Sequence, residues 1–95
     1  MTTFEELDAY QKAQTLFERE EYEEAFRHYL EAARQGNPQA QCKLADCYYY
    51  GYGVPKDRGE AAVWYRKAAQ QGNGKAIQLL HYKQPKPRPP RAARK

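Results

Sequence analysis

Residues 25–40, AFRHYLEAARQGNPQA, return 36 positions later as residues 61–76, AAVWYRKAAQQGNGKA. Ala25, Tyr29, Ala32, Ala33, Gly36, Asn37 and Ala40 meet Ala61, Tyr65, Ala68, Ala69, Gly72, Asn73 and Ala76 one for one. A unit of this size cannot bury its own apolar face, whereas stacked copies bury a continuous one. The repetition therefore predicts an all-α chain: a right-handed solenoid of antiparallel helix pairs, with about five helices, that presents a surface to another molecule.

Working outward, each copy carries its own punctuation. Gly36 suits a helix C-cap, and Asn37-Pro38 supplies an N-cap side chain followed by proline at the first helical position. The spacing predicts helices over residues 22–34 and 38–49, then a loop at Gly51, Gly53 and Pro55. Asp57, with Glu60 three residues on, predicts a further helix over 58–70. Gly72-Asn73 repeats the junction and opens a short helix over 74–82. Upstream, Thr3 stands three residues before Glu6, a capping-box spacing that predicts a first helix over 4–19, with Leu7, Ala9, Ala13, Leu16 and Phe17 on its apolar side.

The charge is divided unevenly. The chain of 95 residues has a formal charge of +4. Residues 1–82, however, hold ten basic against twelve acidic side chains, while residues 83–95 hold Lys83, Lys86, Arg88, Arg91, Arg94 and Lys95 with no acid. Pro85, Pro87, Pro89 and Pro90 exclude helix from that end, and residues 84–95 contain no Leu, Ile, Val or aromatic side chain to bury. The expected organisation is a helical repeat domain over 1–83 and a basic Pro/Arg-rich tail over 84–95, disordered or extended. No apolar run approaches the roughly 20 residues that span a bilayer. Met1 is followed by Thr2-Thr3-Phe4-Glu5-Glu6, which lacks the basic-then-apolar order of a secretory leader. Cys42 and Cys47 stand about 140° apart on one helix and do not meet. Free thiols in the cytoplasm are the expectation.

The run from Ala40 to Asp57, AQCKLADCYYYGYGVPKD, followed by Ala61, Trp64-Tyr65, Lys67-Ala68-Ala69, Gln71-Gly72 and Ala76, resembles a Sel1-like repeat. That family is a variant of the tetratricopeptide repeat with a longer inter-helix loop carrying a Gly-x-Gly-Val element. The first copy departs from the pattern. Ala13 to Ala25 is 12 residues where Ala45 to Ala61 is 16, so this copy lacks four loop residues and both glycines, and it looks more like a plain tetratricopeptide repeat. The resemblance implies an inner surface lined by the first helix of each unit. On matching positions that surface takes Tyr10, Gln14 and Phe17, then Cys42, Asp46 and Tyr49. Two full units curve little, which limits a groove to a short segment or one helix of a partner.

Catalytic and cofactor chemistry finds little support. His28 and His81 with Cys42 and Cys47 match no metal-ligand spacing, and neither cysteine has an assignable triad partner. Gly51-Tyr52-Gly53 lacks the lysine and the preceding strand of a phosphate loop. No metal, no cofactor and no enzymatic activity are expected. The function read from these residues is a non-catalytic scaffold or adaptor for a protein or peptide partner. The alternative is a nucleic-acid-associated chain whose tail makes non-specific phosphate contacts. Either Tyr48 belongs to the core while Tyr49, Tyr50 and Tyr52 cover helix ends, or these tyrosines join the contact surface. Ile77, Leu79 or Leu80 at one end, with Leu7 and Phe17 at the other, leave two readings, a monomer with frayed ends or a weak symmetric homodimer.

Overall fold

A computed structural model describes residues 3–83. A single 3-10 turn, Phe4–Glu6, precedes five helices: α1 Ala9–Glu18, α2 Tyr22–Arg34, α3 Pro38–Tyr50, α4 Arg58–Gln70 and α5 Gly74–Lys83. Each helix packs on the next in chain order. α2 and α4 begin and end 36 positions apart, as their shared sequence requires. Among the described residues no helix is long and apolar enough to cross a membrane. The tail over 84–95 lies outside the described residues.

The start of α1 corrects the expectation of a helix from Phe4. The Asp8 carboxylate accepts from the Gln11 amide at 2.8 Å, and the Gln11 side chain accepts from the Asp8 amide at 3.2 Å. This reciprocal capping box outcompetes the Thr3–Glu6 spacing, because Asp is a strong N-cap and Gln11 stands at the required third position. Phe4 is left to pack against the core from a short turn, with the Lys12 ammonium 5.7 Å from its ring centroid.

Three helices end by one device. In α2 the Asn37 amide reaches the Ala32 carbonyl at 3.2 Å and the Gly36 amide the Ala33 carbonyl at 3.0 Å; α4 repeats this with Asn73 and Gly72. In α1 the Glu21 amide reaches Leu16 and the Glu20 amide reaches Phe17, both at 2.9 Å. This Schellman geometry places its penultimate residue in left-handed backbone. Gly36 and Gly72 occupy it at φ 97° and 88°, but α1 puts Glu20 there at φ 64°.

The core divides across α3. Ala40, Leu44 and Cys47 face a first cluster with Ala13, Leu16, Ala25, Tyr29, Ala32 and Ala33, while Cys42 and Ala45 face a second with Ala61, Tyr65, Ala68 and Ala76. The angle between positions 42 and 47 thus sends the two thiols into different clusters, and both are buried and unpaired. Burial lifts the Cys42 thiol to about 11, helped by the Asp46 carboxylate, and in the same way lifts Cys47 to about 12. Gln41, buried between the clusters, donates to the Ala33 carbonyl at 3.2 Å and accepts from Gln71 at 2.9 Å, which ties the C-terminal ends of α2 and α4 through α3.

Three residues join α1 to α2, against seven between α3 and α4. The longer loop folds back on the first unit. Tyr52 places its ring 5.0 Å from those of Phe17 and Tyr22, and Val54 packs on the first cluster. Gly53, at φ 75°, lies so close to Tyr22 that a Cβ would collide with the Tyr22 carbonyl. Both expected uncovered ends are smaller than the apolar pattern implied. Phe17 joins the aromatic cluster, and Leu79 and Leu80 pack on the second cluster, which leaves Ile77 exposed at 41%.

Two loop substitutions are expected to act with opposite signs in urea denaturation followed by circular dichroism. Glu20→Gly removes left-handed strain and raises stability by about 1 kcal/mol. Gly53→Ala adds both strain and a backbone clash and lowers it by roughly 2 kcal/mol or more. The thiols predict a pH dependence. Their folded values lie above the ordinary 9, so between that value and 11 the unfolded chain loses protons that the folded chain keeps. Stability therefore falls as pH rises, by about 1 kcal/mol for each thiol between pH 8 and 10. The Cys42→Ala, Cys47→Ala double variant is expected to flatten that decline.

Candidate functional site

The first helices of successive units, α1, α3 and α5, border one cleft of about 110 Å3 lined by Tyr10, Gln39, Cys42, Lys43, Asn73 and Lys75. Local sequence places each contributor. Asn73 accepts from the Ala76 amide at 2.8 Å and so starts α5, which sets Lys75 in its first turn. Asn37 does the same for Ala40 at 3.0 Å, which fixes the register of Gln39, Cys42 and Lys43 on α3.

Beside the cleft, Asp46 ties three helices together. Its carboxylate accepts the Tyr65 hydroxyl from α4 and pairs with the Lys75 ammonium of α5 at 3.3 Å. The Asp46 side chain is only 14% exposed, so this contact is shielded from solvent on its acidic side. Burial, then the bond to Asp46, pushes the Tyr65 hydroxyl pKa well above the ordinary phenol value, which keeps it a donor at every physiological pH. Burial works against the Lys75 charge, but the Asp46 carboxylate outweighs it and holds the ammonium above the usual lysine range. The Tyr10 phenol is also raised, mainly by burial and then by Cys42, with Lys75 acting in the opposite sense.

Of the six positions expected on the inner surface, Tyr10 and Cys42 border the cleft and Asp46 flanks it. Cys42, at 3% exposure, is a wall of the second core and offers no contact surface of its own. Phe17 is likewise corrected: its ring sits 4.9 Å from Tyr22 and 5.0 Å from Tyr52, because the long loop closes over it. Gln14 is exposed on α1. Tyr49 lies under the Arg58 guanidinium at 4.9 Å and against Tyr50 at the same centroid separation. Lys83 closes α5, while Lys86, Arg88, Arg91, Arg94 and Lys95 lie outside the described residues.

Lys43, Lys75, Gln39 and Asn73 were not anticipated. The inner-surface rule carried 36 positions on from Cys42 and Asp46 reaches Gln78 and Tyr82, so it does not reach Lys75, which matches Gln39 in register. Among the described residues no group of three or more His, Cys, Asp or Glu side chains gathers into a metal-binding arrangement.

Comparison with known proteins agrees with this architecture. The chain is 45% identical over 49 residues to an uncharacterized Sel1-like repeat-containing protein of Schizosaccharomyces pombe, covering 52% of this chain and 7% of that protein. It is 37% identical over 65 residues to the ERAD-associated E3 ubiquitin-protein ligase component HRD3A of Arabidopsis thaliana, covering 68% and 10% respectively. With protein sel-1 homolog 2 of Homo sapiens the identity is 40% over 72 residues, or 75% of this chain and 10% of the relative. The chain therefore spans a tenth or less of the length of these relatives. The Sel1 repeat model matches residues 9–37 and 38–73, including the short first unit that by its spacing looks like a plain tetratricopeptide repeat. The α1–α2 and α3–α4 pairs are thus successive copies of one motif, and the chain belongs to the Sel1 repeat family.

Proposed function

We propose that this chain is a non-catalytic adaptor that binds a protein or peptide partner along the face formed by α1, α3 and α5. One observation carries the reading: residues from the first helices of three consecutive units border a single cleft, while the buried tyrosines and most of the buried alanines of the second helices are spent on the core. Sel1 repeats are protein-interaction modules without catalytic activity, and the Arabidopsis relative is by its name a ligase component. The division of labour between helices supports the same role. A rigid, packed second helix holds the first helix in place, so the exposed face is presented with little ordering cost on binding.

Two units and one further helix offer a short face, suited to a single helix or an extended segment of the partner. The nucleic-acid alternative rests on the tail, which lies outside the described residues, and no observation within residues 3–83 favours it.

Site-specific photo-cross-linking tests the assignment. A photoreactive residue at Gln14 is expected to capture the partner. The same group at Arg27 or Val63, exposed register equivalents on the second helices α2 and α4, is expected to capture none. Gln14→Arg should weaken the complex about tenfold without altering the melting temperature. Equal capture from both sets of positions would overturn the face assignment.

A further inference from the structure

We propose that the cleft between α1, α3 and α5 receives one acidic side chain, Asp or Glu, from the protein partner, held by the ammonium groups of Lys43 and Lys75. This rests on the reading of that face as the partner surface and names the chemistry it selects.

The lining is rich in donors and contains no carboxylate. Lys43 and Lys75 bring two ammonium groups, Tyr10 a hydroxyl, and Gln39 and Asn73 their side-chain amides. The Asn73 carbonyl oxygen is occupied by the Ala76 amide, so its NH2 group remains available to donate. Asp46, the nearest acid in the hydrogen-bond network, has one oxygen on Tyr65 and the other on Lys75. That pairing engages one of the three Lys75 donors and leaves the others directed elsewhere. Among the described residues no carboxylate pairs with Lys43.

Size and charge narrow the occupant. The cleft is small, about 110 Å3, and open on one side, which suits a single side chain entering from the partner. Two ammonium groups beside one carboxylate leave a single uncompensated positive charge, which matches one carboxylate. A phosphate dianion would carry its second charge against Asp46. The remaining wall, the Tyr10 ring, suits the methylene stem of an Asp or Glu side chain. Charge-assisted hydrogen bonds in a partly desolvated cleft are the strong kind, so the acid should dominate the sequence preference of this face.

The test is selection from a random twelve-residue peptide library on the full chain, repeated on Lys43→Glu. Peptides selected by the parent chain are expected to share an acidic residue at one aligned position, and the Lys43→Glu selection to lose it. For one synthesised peptide, changing that acid to its amide and changing Lys43→Gln should each weaken binding about tenfold. The two changes together should cost little more than either, while Lys43→Arg keeps most of the affinity. Among the described residues Lys43 has no salt-bridge partner, so circular dichroism melts of these variants should overlay that of the parent. Peptides that cross-link at Gln14 without an acid preference, or whose acid is indifferent to Lys43→Gln, would overturn the acidic site and leave the partner face standing. Selection of no peptide, or cross-linking from Arg27 or Val63 alone, would remove the face and the acidic site together.

Discussion

Close helix approach at alanine is the constraint on which the rest of the structure depends. Ala13, Ala25, Ala32, Ala33, Ala40, Ala45, Ala61, Ala68 and Ala76 are all buried at 2% exposure or less. Side chains this small let backbone axes come together, and Tyr29 and Tyr65, at 1% and 2%, fill the space that remains. Burying the apolar part of a tyrosine is worth roughly 3 kcal/mol gross. That exceeds any single hydrogen bond in the molecule, provided the phenol hydroxyl finds an acceptor. An unpartnered hydroxyl would cost about 1–3 kcal/mol of it. Tyr65 meets that condition by reaching Asp46 across the α3–α4 contact, and no buried side-chain polar atom among the described residues lacks a partner.

The same contact connects packing to the candidate site. Asp46 is held by Tyr65 from the core side and holds Lys75 on the other, so the orientation of α5 against α3 is linked to the burial of a core tyrosine. The candidate cleft bordered by α1, α3 and α5 depends on a fixed relation between helices that are not neighbours in the packing order. The second helices supply the spacing, and the hydrogen bond from Gln71 to Gln41 ties the end of α4 to α3 beside the cleft. The cleft is thus held in shape by groups outside its lining.

The loop between α3 and α4 does comparable work at the other end. Its Tyr52 and Val54 cover the first unit, whose own connection is too short to fold over itself, and Gly53 allows the backbone contact with Tyr22. The two unequal units are therefore complementary. Lengthening the first connection would fill the space that the second loop occupies.

Much of this was legible in the chain. The offset of 36, the Gly-Asn junctions and the alanine spacing determined the helices, their order and their shared register, because caps and apolar periodicity are local properties. The same locality separated the two thiols. The Asp8 capping box was written just as plainly as the Thr3 spacing, and the reciprocal Asp8–Gln11 hydrogen bonds decided between them. At the site, the resemblance to the repeat family pointed to the positions of Tyr10, Cys42 and Asp46, but not to which of them stay open. Phe17 is covered by a loop 35 residues away, and Cys42 is closed off by Ala61, Tyr65 and their neighbours. Lys43 and Lys75 lie 32 positions apart and share no motif. Their meeting around one cleft comes from the stacking of α3, α4 and α5, a distance relation between side chains that sequence spacing does not encode.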